Sequence, residues 1–305
     1  MTTPSRHFDT AIEGLSGLRP EVPALWSYSS LAMLEACPRR WMLERADYPG
    51  LWDRRGYPVV PIRAAVFGSV AHLIIERLSH AMETTDDAVA PLNTVDVLRA
   101  LGGWAQVAEA AVDEALADFD DNPRVSQAAL DRLRDDLVRR VPDAVDQVKL
   151  LLRDQPSIKT GVRPAPAADS ALREAPRGPA TPGTHIERTV TVEDLRLSGR
   201  LDLLSIDEAD VTITDFKTGA EREEHDDQVR LYALLWRFDA FTNPMGRPAT
   251  KLSIAYSSHE RAVPAPDVQE MLALHASTEA RIAAADATVM SASPPALPSP
   301  EACQF

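Results

Sequence analysis

Apolar and polar residues alternate from Leu197 to Ile206 and again from Val211 to Lys217, on either side of the acidic tetrapeptide Asp207-Glu208-Ala209-Asp210. That period predicts two strands joined by a tight turn. With the turn closing symmetrically, Ile206 faces Val211, and counting back along an antiparallel ladder sets Asp202 opposite Asp215. Elsewhere the period is longer. Val66, Phe67, Val70, Leu73, Ile74 and Leu78 form the stripe of a helix over 64–82, and Ser29 is a candidate N-cap for a helix through Leu31 and Leu34 that breaks near Pro38. Further helical stripes run through Trp104 to Ala115 and through Leu130 to Val145. A strand is expected over 185–192, a helix at about 227–241, a strand over 251–257 and a helix over 268–285.

The hairpin raises a chemical question. Directly opposed residues project from one face with Cβ atoms roughly 4.5–5.5 Å apart, so two facing carboxylates repel unless something positive lies between them. Lys217, two residues beyond Asp215, falls on the same face. A hard divalent cation suits such a pair, because Mg²⁺ takes oxygen ligands and is held by one or two carboxylates plus phosphate oxygens. An ammonium beside them can orient or deprotonate an attacking water, or offset charge developing on a phosphate. The residues alone leave a second reading open, in which the acids all face water and Lys217 neutralises them. His72 and Glu76, one helical turn apart, either join a metal site or hydrogen-bond to each other. Gln228 and Tyr232 share a helix face in the same way. Arg39 and Arg40 are either phosphate contacts or a solvated basic turn.

Composition narrows the setting. No run approaches a membrane span, and the polar N-terminus lacks the pattern of a signal peptide, so a cytoplasmic protein without membrane association is expected. The formal charge of −14 argues against a general basic nucleic-acid coat while leaving room for a local groove. Cys37 and Cys303 are too few for a disulfide framework or a four-thiolate site. A lone Cys on a helix is most simply a small buried apolar residue.

In order and spacing, the segments YSSLAMLEACPRRW, the His72 helix, GRLDLL, ITDFKTG and QVRLY resemble the RecB-like branch of the PD-(D/E)XK nuclease superfamily. That branch includes the nuclease domains of RecB and AddB helicase-nucleases and related CRISPR-associated exonucleases. The resemblance implies that Asp202 and Asp215 bind a catalytic Mg²⁺ or Mn²⁺, that His72 is a further ligand, and that Lys217 assists the attacking water. It implies site-lining, DNA-positioning roles for Gln228 and Tyr232, and, less directly, an acidic contribution from Glu187. Asp stands at 215 where Glu is more usual, a common variation in this branch. Many relatives carry a [4Fe–4S] cluster on four Cys, whereas here only Cys37 and Cys303 stand in the matching regions, so no cluster is expected.

The implied fold is α/β, a restriction-endonuclease-like mixed sheet of about four or five strands flanked by helices. An irregular arm occupies 1–25 and the nuclease domain 26–290, with a helical insertion at 84–155, a flexible Pro/Ala-rich segment at 156–184 and a Pro-rich tail at 291–305. The implied activity is metal-dependent hydrolysis of DNA, with exonuclease weakly favoured over endonuclease, in repair, recombination or phage defence. No P-loop pattern is present, so any unwinding falls to a separate helicase or translocase. The competing class is a non-cutting DNA-binding or scaffold subunit of the same kind of assembly.

Overall fold

The structure, a computed structural model, describes residues 19–48, 56–83, 98–152, 158–160, 178–256 and 258–298. The chain divides into two compact units. The larger comprises Pro61–Asp120 and Gln127–Ser277, and the smaller Met1–Val60, Asp121–Ser126 and Thr278–Phe305. Among the described residues no helix is long and apolar enough to cross a membrane.

The larger unit is built on one sheet of six strands in chain order: β1 (Ile158–Thr160), β2 (Gly183–Val192), β3 (Leu197–Ile206), β4 (Val211–Lys217), β5 (Lys251–Tyr256) and β6 (Glu260–Val263). The pairs β1–β2 and β4–β5 are parallel and the other three are antiparallel. Two of these strands lie outside the expected four or five. β1 falls inside the segment expected to be flexible, and β6 is a four-residue edge strand, too short for alternation to show.

The hairpin register is the expected one, Ile206 opposite Val211. Asp207 fixes the turn: its side-chain Oδ1 accepts from the backbone N–H of Ala209 at 2.8 Å and of Asp210 at 2.6 Å.

Helix α3 (Arg63–Glu83), α4 (Trp104–Ala117) and α5 (Gln127–Leu152) share a core with the sheet. Val66, Phe67, Val70, Ile74 and Leu78 meet Ala108, Ala111, Val112, Leu137 and Val141, with Ile186, Leu203 and Phe216 beneath. Gly68 permits close approach, since a Cβ there would lie 3.2 Å from Thr218 Oγ1. A further helix, α6 (Glu224–Phe238), lies against strands β2 to β5 through a row that includes Leu231, Leu234 and Leu235.

In the smaller unit, α1 (Tyr28–Ala36) is capped by Ser27 rather than Ser29, the Ser27 hydroxyl accepting from Ser30 N–H at 3.2 Å. Pro38 does more than end that helix. It opens α2 (Pro38–Arg45) from the first turn, where its missing N–H costs nothing. Trp26 and Trp41 are fully buried, with ring centroids 5.4 Å apart. Each indole N–H has an acceptor: Asp286 Oδ1 at 2.9 Å for Trp26, Ser30 Oγ at 3.0 Å for Trp41. The last helix, α7 (Val268–Met290), begins in the larger unit and ends in the smaller. Cys37 is buried, in keeping with the apolar reading, and Cys303 lies outside the described residues.

Candidate active site

The sheet forks at the residues the hairpin singled out. The β3–β4 ladder stops at Leu203–Thr214, one step short of Asp202 and Asp215. Beyond it β3 stays paired with β2 through Arg188–Leu201 and Thr189–Arg200, while β4 stays paired with β5 through Lys217–Tyr256. Inside the fork a side chain replaces the missing backbone rung: Phe216 N–H donates to Asp202 Oδ2 at 2.6 Å.

Three ligand atoms converge on one side. His72 on α3, Glu187 on β2 and Asp202 on β3 each offer one, all within 4.8 Å of one another. His72 Nδ1 is 3.0 Å from Glu187 Oε1 and 3.7 Å from Asp202 Oδ1. His72 thus meets Glu187 and Asp202, on the sheet, rather than standing by itself on its helix. Glu187 takes this place with a backbone φ of +52°, left-handed for a side-chain-bearing residue, where an unbroken strand would keep φ negative.

Asp215 and Lys217 complete the fork. Asp215 is 1 % exposed, and its carboxylate is poorly satisfied: no backbone or neutral side-chain donor is directed at either oxygen. Lys217 Nζ stands 2.8 Å from Asp215 Oδ2 as an ion pair, but its hydrogen bond goes to Gln228 Oε1, at 2.9 Å. The Gln228 amide then donates to Tyr232 Oη at 2.7 Å. Gly199 on β3 makes room for this relay: a Cβ there would lie 3.0 Å from Tyr232 Cε1 and 2.7 Å from Leu235 Cδ1.

The electrostatics describe a site short of a cation. Burial, then the charge of Asp202, push the Asp215 carboxyl up to about 7, against the pull of Lys217. Burial also raises Asp202, opposed chiefly by His72. At His72 burial favours the neutral ring, yet Asp202, Glu187 and Asp215 together push it up to about 9. Poorly satisfied buried oxygens and an imidazole among carboxylates are the donor set a divalent cation takes. His72, Glu187 and Asp202 could hold a divalent metal ion, with the Asp215 carboxylate close enough to feel the charge of Asp202 and His72.

All seven of these residues, His72, Glu187, Asp202, Asp215, Lys217, Gln228 and Tyr232, were singled out by sequence. Arg39 and Arg40 belong to the smaller unit: Arg40 Nε pairs with Glu44 Oε1 at 2.6 Å, and the Arg39 backbone N–H donates to Pro295 O at 3.2 Å.

Sequence reasoning passed over Arg200, whose Nε lies 2.7 Å from Glu187 Oε2, although it sits in the GRLDLL segment itself. It also passed over a cluster beside Lys217. His225 Nδ1 is 2.9 Å from Tyr256 Oη, His259 stacks on the Tyr256 ring at 5.1 Å, and Arg261 grips Asp226 at 2.5 and 3.0 Å. No local period marks these residues, which meet only where the start of α6 comes against the β5–β6 pair.

No curated protein matches the chain at a significant level. The family model of the PD-(D/E)XK nuclease superfamily matches residues 25–305, nearly the whole chain. With a mixed sheet flanked by helices as in the restriction-endonuclease-like fold, and an Asp-x-Lys at the fork, the chain belongs to the PD-(D/E)XK nuclease superfamily.

Proposed function

We propose that this chain is a RecB-like, metal-dependent deoxyribonuclease that hydrolyses DNA phosphodiester bonds, using Mg²⁺ or Mn²⁺ held by His72, Asp202 and Asp215. The observation that carries this reading is the convergence of His72, Glu187 and Asp202, with the buried Asp215 carboxylate and the Lys217 ammonium across the fork. A cation bound there supplies Lewis-acid polarisation of the phosphate and a stronger nucleophile at neutral pH.

The chain's own groups do the rest. Lys217 is pinned between Asp215 and Gln228, so its charge is fixed beside the reacting phosphate without reorganisation during the step. Tyr232 keeps its phenolic proton, because burial and the neighbouring carboxylates raise its pKa. Its oxygen fixes the Gln228 amide with the carbonyl toward Lys217. Glu187 receives His72 Nδ1 and sets the ring's orientation.

The wider setting follows from the resemblance rather than from the site: action with a separate helicase or translocase, in repair, recombination or phage defence, with end-dependent cutting favoured. The test is cleavage of linear and circular, single- and double-stranded DNA with Mg²⁺ or Mn²⁺, by wild type, Asp215→Ala and Lys217→Ala. Metal-dependent cutting lost in both variants is the expected result, with circular substrates spared if attack needs an end. Wild type that binds DNA yet cuts none of these substrates contradicts an autonomous nuclease and favours the non-cutting subunit.

A further inference from the structure

His72 and Glu76 stand one turn apart on α3, and Asp202 and Arg200 stand two residues apart on β3. The helix and strand therefore meet in two rungs: His72 Nδ1 to Asp202 Oδ1 at 3.7 Å, and Glu76 Oε1 to Arg200 Nη2 at 3.3 Å. Glu187 ties the rungs together, one oxygen on His72 at 3.0 Å and the other on Arg200 Nε at 2.7 Å. The inner rung carries the metal-ligand set and the outer rung carries a guanidinium.

That guanidinium is poorly explained as a stabilising group. Its side chain is 52 % exposed, and exposed ion pairs contribute little to folding. Glu187, which it covers, is only 9 % exposed. A guanidinium has five N–H donors, and the contacts with Glu187 and Glu76 engage two of its nitrogens at one edge. Its planar fork matches a phosphate better than any other side chain does. It lies on the far side of the Glu187 carboxylate from His72, with contacts of 2.7 and 3.0 Å between, where a phosphate next to one held at the fork would come.

We propose that Arg200 is a phosphate-binding residue of this site: it holds Glu187 toward His72 and exchanges Glu76 for the backbone phosphate adjacent to the one cut. The proposal rests on the reading of the site as a phosphodiesterase acting on DNA. Glu76 acts as the guanidinium's resting partner when no strand is bound.

The test measures oligonucleotide binding by fluorescence anisotropy in Ca²⁺, which supports binding without turnover, after Mg²⁺ or Mn²⁺ products have located the cut. Wild type, Arg200→Ala, Arg200→Lys and Glu76→Gln are compared on all-phosphate DNA and on DNA with one neutral methylphosphonate beside the cut. Arg200→Ala is expected to weaken binding about ten-fold, as loss of a charge-assisted hydrogen bond does. The methylphosphonate is expected to weaken wild type by a similar factor but leave Arg200→Ala unchanged. Arg200→Lys should recover part of the affinity. Glu76→Gln, by freeing the guanidinium, should bind the all-phosphate strand more tightly than wild type, and that gain should disappear in the Arg200→Ala background, where loss of a negative charge alone would keep it.

Full additivity of the two losses, or weaker binding by Glu76→Gln, overturns the role of Arg200 while leaving the nuclease reading in place. Wild type that neither binds in Ca²⁺ nor cuts in Mg²⁺ or Mn²⁺ overturns both.

Discussion

The tryptophan pair of the smaller unit and the strand fork of the larger are both buried and both contain polar atoms, yet they are finished differently. Each indole N–H of Trp26 and Trp41 has an acceptor within 3.0 Å, the rings pack on each other, and Arg45 covers the Trp41 ring at 4.6 Å. At the fork, Asp215 is as deeply buried, but its oxygens are met by the Lys217 ammonium alone among donors, on one side, and its neighbours include another carboxylate, Asp202. A satisfied buried group stabilises a fold, and an unsatisfied one costs stability. The first region is built to hold the chain together. The second is kept incomplete, which is what a binding site for a cation requires.

Substitutions should therefore have opposite signs in the two regions. Asp215→Asn is expected to lower cleavage by about a thousand-fold or more, through loss of a ligand, while raising the melting temperature of the metal-free protein at pH 8. Trp41→Ala should do the reverse in kind, costing about 3–5 kcal/mol of stability, read by denaturant unfolding. A metal-free Asp215→Asn protein that melts below wild type would break the contrast.

The stability of the metal-free fork depends on pH. The folded Asp215 carboxyl is raised to about 7, so in the metal-free protein it binds a proton more tightly than the unfolded chain does. Stability should fall as pH rises from the ordinary carboxylate range through about 7. His72, raised to about 9, adds stability that is fully present below its ordinary value and lost as pH climbs through about 9. A cation must displace these protons, so Mn²⁺ affinity should strengthen with pH over the same interval, with proton release seen by calorimetry in buffers of different ionisation enthalpy. Affinity independent of pH would contradict the assignment of these ligands.

A smaller effect is expected at Gly199→Ala. The added methyl meets Leu235 and Tyr232 at 2.7 and 3.0 Å, which should cost about 1–3 kcal/mol. By shifting the Tyr232–Gln228–Lys217 relay, it should also slow cleavage about ten-fold or more, with Mn²⁺ affinity unchanged.

The hairpin was legible in sequence because its register is local. An alternating period and a turn anchored by Asp207 suffice to align Asp202 with Asp215, and the stripe of α3 places His72 beside an apolar face. What the sequence could not display is long-range. The contact of Glu187 with His72 joins residues 115 apart and needs a left-handed backbone that no local pattern announces. Arg200 is joined to Glu76 and Glu187, 124 and 13 positions before it, by contacts that no local pattern displays. The ladder's end one step before the two aspartates also depends on β5, which draws β4 away from β3.

The most direct test of the central claim is anomalous diffraction from crystals of the wild-type protein grown with Mn²⁺. A peak is expected at the fork, ligated by Asp202, Asp215 and His72, and absent from Asp215→Asn crystals. A fork without manganese in wild-type crystals, with Asp215 and Lys217 closed on each other, would contradict it.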